Sequence, residues 1–103
     1  EFINPSKNIN PSWMGLPILI SKKFKNKKKK FINFLDQAGI ETRPIITGNF
    51  ANQPAAKYIS DIKSYPNAQI LSDQGFMIGC HATQISELLS ESINVISDKL
   101  SSL

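Results

Sequence analysis

Three stretches of this sequence carry side chains able to do chemistry. The first is Cys80-His81, a thiol beside an imidazole, the pairing that nucleophilic catalysis uses when the base can reach the nucleophile. Neighbours at a strand end project in different directions, and no third residue stands out to orient the ring. Cys80 therefore reads as a buried thiol next to a partly exposed imidazole. With one cysteine and one histidine, an internal disulfide framework and a four-cysteine zinc or iron–sulfur site are excluded, and no metal is expected.

The second stretch is 21–30, which holds Lys22, Lys23, Lys25, Lys27, Lys28, Lys29 and Lys30 and no acid. Such a run can hold phosphate or RNA through counterion release. It lacks aromatic residues interleaved at stacking spacing and a glycine-rich phosphate loop, so a solvated helix face is the better reading. The net charge is +4, but outside this run five basic and eight acidic residues leave −3. The global positive surface of a nucleic-acid binder is missing. Weak, salt-sensitive capture of an acidic partner or RNA by the 22–30 basic helix stands as the alternative function.

The third stretch is Gly48-Asn49-Phe50-Ala51-Asn52-Gln53-Pro54, a polar loop after a strand. Loops with amide side chains on a rigid scaffold are where ligand contacts concentrate. Turns use Gly, Asn and Pro as well, so chemistry alone leaves both roles open.

The elements that must position these residues follow from periodicity. A short apolar run around Pro17 predicts a strand over 16–21, and Pro17 pushes it to a sheet edge. Phe31, Phe34, Leu35 and Ala38 recur at helical spacing, giving an amphipathic helix over 26–38 capped by Gly39. The lysines in its first half oppose the helix macrodipole. A second strand over 40–47 contains Pro44, again suggesting an edge or a bend. Residues 55–60 and 68–74 read as short helical pieces, and 76–80 as a third strand. A long helix opens at Ala82-Thr83, with Ile85, Leu88, Leu89, Ile93, Ile96 and Leu100 on its apolar face. Trp13, Phe31, Phe34 and Phe76 are expected in the core. The fold class is α+β: a small three-stranded, mostly antiparallel sheet with the 26–38 and C-terminal helices packed on one face.

Length and composition agree with one small globular domain, 41% apolar and 19% charged. No apolar run approaches the ~20 residues of a membrane-spanning helix. The first residues have neither the basic n-region nor the apolar h-region of a secretory signal, and a reduced cytoplasmic setting is expected. Residues 1–11, rich in Asn and Pro, read as a linker, and the chain, lacking an initiator methionine, reads as a piece of something longer.

Four motifs taken in order resemble the C-terminal small domain of the DegT/StrS-type sugar-nucleotide aminotransferases, which use pyridoxal phosphate. They are Pro11-Ser12-Trp13-Met14-Gly15-Leu16-Pro17, Gly39-Ile40-Glu41-Thr42-Arg43-Pro44, the 48–54 loop, and Gly75-Phe76-Met77-Ile78-Gly79-Cys80-His81. The resemblance spans 10–100 and is nearest to the CDP-4-keto-6-deoxyglucose 3-dehydrase subgroup. That subgroup carries Arg before the Gln-Pro of the loop, where this chain has Asn52, so no arginine contact is carried over from position 52.

The resemblance implies a missing N-terminal large domain, joined through 1–11, that binds pyridoxal phosphate or pyridoxamine phosphate, with 12–103 as the small domain. It implies a homodimer acting on a nucleotide-sugar substrate, a 4-keto-6-deoxy sugar nucleotide, by amino transfer or dehydration in surface polysaccharide biosynthesis. No catalytic residue and no cofactor contact are assigned to this chain, which alone is expected to be inactive. Arg43, Asn49 and Gln53 are the substrate-binding candidates. If the loop faces substrate, Asn49 and Gln53 are expected to be exposed or only locally bonded in the isolated domain.

Overall fold

The computed structural model describes residues 2–59, 61–81, 83 and 85–102. Apolar alternation in two short segments builds the centre of the sheet. Strand β1 (Gly15–Leu19) pairs antiparallel with β3 (Gly75–Gly79), matching Leu16 to Ile78 and Ile18 to Phe76. Because alternate residues share a face, these four side chains line one side of the sheet. Strand β2 (Thr42–Arg43) joins the far side of β3 antiparallel, giving the order β1-β3-β2. Both prolines sit on edge strands or just beyond them, where a missing N–H costs no ladder bond. The Pro17 carbonyl accepts from the Ile3 N–H at 3.3 Å, so Pro17 turns its backbone outward, away from β3. Phe2 bridges Ile18 along the same edge.

The helices cover the apolar face. Helix α1 (Lys28–Gln37) inserts Phe31 and Leu35, 1% and 0% exposed, against Ile18, Phe76 and Ile78. Phe31 meets Phe76 edge-on at 6.0 Å between ring centroids. Each such side chain, once buried, contributes about 1.5–3 kcal/mol. Helix α3 (Ser86–Ser101) adds Ile96 to this core, with Leu89 and Leu100 packed around it. Gly39, at φ +78°, ends α1 in a Schellman turn: Ile40 N–H reaches the Leu35 carbonyl and Gly39 N–H the Asp36 carbonyl. Ile40 packs on the same core as Leu35, the apolar contact that accompanies this turn. The α+β class, the three antiparallel strands and the helices on one face are as the sequence implies.

Several boundaries differ, each for a physical reason. The 16–21 strand is one residue earlier at its start and ends at Leu19. Beyond Leu19 the partner chain is helix α2 (Pro66–Gln74), which runs straight into β3 and leaves no strand to pair with. Gly75 permits that junction, since a Cβ there would lie 2.5 Å from the Leu71 carbonyl oxygen and 2.6 Å from Ile45 Cδ1. The 26–38 helix begins instead as a 3-10 helix, Lys22–Lys27, with no acid in its first turn and no side-chain cap. The 40–47 strand shrinks to Thr42–Arg43, because Pro44 interrupts it and Ile45 to Gly48 close a turn with Ile46 at φ +48°. Short 3-10 helices follow at Phe50–Asn52 and Pro54–Tyr58, and Ser60 lies outside the described residues. The opening expected for α3 falls partly on Ala82, also outside them, and the helix starts at Ser86.

Two core expectations are corrected. Trp13 is 40% exposed, because the β1–β3 ladder starts at Gly15 and no strand flanks the chain before it. Leu88 is 63% exposed: Leu89, Ile96 and Leu100 form the stripe on the core, and Leu88 lies about 100° away from it around the helix. Phe34 packs half-buried at the core's edge. No helix among the described residues is long and apolar enough to cross a membrane.

Candidate functional site

The 48–54 loop is set by the turn before it. Gly48, at φ +60°, lies so close to α2 that a Cβ would come within 2.9 Å of Ser72 Oγ. That contact lays the loop along α2. Asn49 then caps the Phe50–Asn52 3-10 helix: its Oδ1 accepts from the Ala51 N–H at 3.1 Å. Its Nδ2 donates to Gln69 Oε1 at 2.9 Å, and Asn52 Nδ2 donates to the same oxygen at 2.8 Å. Gln69 Nε2 donates in turn to Asp73 Oδ1 at 2.8 Å, and Asp73 Oδ2 lies 4.0 Å from Lys25 Nζ. One glutamine thus holds both loop asparagines and passes the chain of polar contacts to a carboxylate and an ammonium.

Around this chain opens a cleft of about 690 Å³, within the range of small-molecule sites. The loop supplies Asn49, Ala51 and Asn52, α2 supplies Gln69, Ile70, Asp73 and Gln74, and the 3-10 helix Lys22–Lys27 supplies Lys22 and Lys25. Ser64, Tyr65 and Pro66 complete the lining. A second, more apolar hollow of about 360 Å³ shares Asn49, Ala51 and Tyr65 and adds Phe50, Ile59 and Ile62.

The three substrate-binding candidates are not brought together. Asn49 is 6% exposed and bonded across twenty residues to Gln69, so the expectation that it is exposed or only locally bonded is corrected. A capping amide buried under its own loop shapes the cleft wall from behind. Gln53 is exposed, its Nε2 donating locally to the Thr47 carbonyl at 3.3 Å, and it lines a separate hollow of about 190 Å³ with Lys28, Pro44 and Ser72. Arg43 pairs with Glu41 on the exposed side of β2. It stands opposite Met77, on the sheet face turned away from the core, and does not line the large cleft.

The lysine run is not uniformly solvated. Lys28 Nζ donates to the Ser72 carbonyl at 2.8 Å, and burial lowers its pKa, with the nearby Asp73 carboxylate opposing the shift. Lys28 therefore ties α1 to α2, a correction to the solvated-face reading. Lys23 and Lys27 lie over the Phe24 ring, 4.6 and 5.7 Å from its centroid. Cys80 is half-buried rather than buried, and His81 is exposed with its Nδ1 3.1 Å from Thr83 Oγ1. Among the described residues no three His, Cys, Asp or Glu side chains gather as a metal site.

Sequence reasoning missed Gln69, Asp73, Lys22, Lys25 and Tyr65 as cleft residues. One signal was present: Pro66 suits the first position of a helix, and from there Gln69 and Asp73 stand at i and i+4 on one face.

The sequence model of the DegT/DnrJ/EryC1/StrS aminotransferase family matches residues 2–100. The chain is 35% identical over 77 residues to a GDP-4-keto-6-deoxy-D-mannose 3-dehydratase of Escherichia coli O55:H7, covering 72% of this chain and 20% of that protein. It is 29% identical over 94 residues to the lipopolysaccharide biosynthesis protein RfbH of Salmonella typhimurium, covering 86% of this chain and 21% of that protein. A solved E. coli GDP-4-keto-6-deoxy-D-mannose-3-dehydratase with bound hydrated PLP superposes with a TM-score of 0.72 at 31% identity. That superposition covers 82% of this chain and 22% of the solved one. The chain spans about a fifth of the length of the curated relatives it matches.

Proposed function

The chain belongs to the DegT/DnrJ/EryC1/StrS aminotransferase family, and from that premise we propose that it is the C-terminal small domain of a pyridoxal-phosphate-dependent enzyme acting on a 4-keto-6-deoxy sugar nucleotide. The match over residues 2–100 carries the proposal. The proposed reaction is 3-dehydration, with amino transfer as the related possibility within the family, in a cytoplasmic pathway to surface polysaccharide. Similarity to the named E. coli dehydratase supports dehydration, and a GDP-linked substrate fits it better than the CDP-linked one of the sequence resemblance. Residues 1–11 lead from the upstream large domain, and the enzyme is a homodimer.

The bonded lysine–carboxylate pair of the cleft does not suit pyridoxal phosphate. Its aldehyde carbon and ring nitrogen lie on opposite sides of a pyridine ring, so the lysine and the carboxylate serving them must stand apart with the ring between. The cleft's lysine–carboxylate pair, Lys25 and Asp73, is 4.0 Å apart and leaves no such room. Lys28 is engaged with the Ser72 carbonyl. We propose that the upstream domain holds the cofactor, and that this chain supplies shape and hydrogen bonds.

Within that role we propose that Asn49 positions the loop, that Asn52 meets substrate from the cleft, and that Gln53 and Arg43, exposed outside that cleft, contact it separately. The test is turnover of GDP-4-keto-6-deoxy-mannose by the full-length enzyme carrying Gln53→Ala or Arg43→Ala. A fall of about tenfold or more in kcat/KM, with the melting temperature unchanged, is the expected result. Wild-type full-length protein that binds pyridoxal phosphate yet converts no 4-keto-6-deoxy sugar nucleotide would overturn the proposal.

A further inference from the structure

The fold sorts the lysines of the 22–30 run. Lys23 and Lys27 lie over Phe24, Lys28 reaches the Ser72 carbonyl, and Lys29 and Lys30 are exposed along α1. Lys22 and Lys25 alone among the seven line the large cleft. They stand at i and i+3 of a 3-10 helix. With three residues per turn and about 2 Å rise per residue, such positions eclipse one another about 6 Å apart along the axis. Two ammonium groups are thus presented in one row along one wall.

Only one charge inside the cleft opposes them. Asp73 has one oxygen engaged by Gln69 and the other facing Lys25, and Lys22 has no ion-pair partner among the described residues. The wall keeps a net positive charge, although the chain outside the run is net negative. Beside it the Asn52 amide has given one N–H to Gln69 and keeps its second for a ligand, and half-exposed Tyr65 offers a ring within the same lining. Adjacent point-charge donors, a neutral amide and an aromatic face are what a phosphorylated, ring-bearing ligand needs.

We infer that this wall holds the diphosphate of a nucleoside diphosphate group, with Lys22 and Lys25 on the phosphate oxygens, Asn52 beside them and Tyr65 against the base. The inference rests on the sugar-nucleotide function proposed above and assigns the nucleotide end of such a ligand to this cleft. It also gives two members of the lysine run a purpose that a solvated face does not.

The experiment is a titration of the 103-residue chain with GDP at low salt, read by backbone amide NMR shifts. Saturable shifts are expected at Lys22, Lys25, Asn52 and Tyr65, with guanosine at equal concentration leaving the lysine amides unmoved. The double variant Lys22→Gln/Lys25→Gln should weaken GDP binding about fivefold or more, whereas Lys29→Gln/Lys30→Gln, with the same change in net charge, should not. Three results each overturn the assignment: no saturable shift up to about 10 mM GDP, equal shifts from guanosine, or equal weakening by the two double variants. Failure here is separable from failure of the proposed function. A full-length enzyme that turns over nucleotide sugar with unchanged KM in Lys22→Gln/Lys25→Gln removes the cleft assignment only. GDP binding by the chain, in a parent without such turnover, removes the proposed reaction only.

Discussion

The sheet with α1 and α3 and the cleft along α2 are held by different forces. In the first, Phe31, Leu35, Ile18, Phe76, Ile78 and Ile96 exclude water from one contiguous cluster with no polar member. In the second, Asn49, Asn52, Gln69 and Asp73 are joined by directed hydrogen bonds beside open solvent. Burial is non-directional and tolerates substitution by similar volume, whereas an amide chain depends on each donor finding its acceptor. The apolar half can therefore serve as a stable platform while the polar half takes on ligand specificity.

The sharpest break in this contrast is at the core. Phe31→Ala should cost about 3–5 kcal/mol by cavity formation, read as a lower midpoint in denaturant unfolding. A loss below about 1 kcal/mol would mean that the core is not close-packed around that ring.

A smaller effect is expected at the cleft. Asn49→Ala removes a helix cap and a tertiary hydrogen bond and should cost about 1–2 kcal/mol. Because Asn49 and Gln69 act through one bond, the double variant with Gln69→Ala should cost less than the two single losses combined, by about 0.5 kcal/mol or more. Strict additivity in unfolding experiments would show that the two amides stabilise the chain independently.

Lys28 joins the two regions, and its signature is in pH. Burial sets its pKa in the folded chain below the usual 10.5, so between those two values the unfolded chain binds more protons than the folded one. Its contribution to stability must then rise as pH increases through that window. Relative to Lys28→Met, the wild type should gain stability on going from neutral pH toward 10.5, and parallel curves for the two proteins would contradict the partly buried placement. The smallest effect belongs to the solvated part of the run. Lys29→Gln/Lys30→Gln should change stability by less than about 0.5 kcal/mol, because both charges are exposed and screened.

The apolar platform was legible from residue order because its signals are local. Helical spacing of Phe31 and Leu35 marked α1, Gly39 marked its end, and Pro17 and Pro44 marked the two edge strands. The resemblance carried by the 48–54 loop and its neighbouring motifs reached the family as well. Element limits were less legible, since strand length depends on how much partner strand is available: β1 stops opposite Gly75, where α2 ends and β3 starts, and β2 stops at Pro44.

The cleft was decided by tertiary structure. Its bonds cross twenty residues from Asn49 to Gln69, and 44 from Lys28 to the Ser72 carbonyl. No local pattern sets such pairings, because amide and ammonium groups have no periodic preference and take whichever partners the packed elements bring near. The sequence by itself determined the central core residues Phe31, Leu35 and Phe76, through spacing that burial rewards turn by turn and strand by strand, while Trp13 and Leu88 were left exposed by the packing. Packing alone decided that Asn49 is a hidden tie rather than an open contact, and that two of seven lysines face the cleft. The first of these depends on how closely Gly48 lets its loop approach α2, a distance that exists only once the fold has formed.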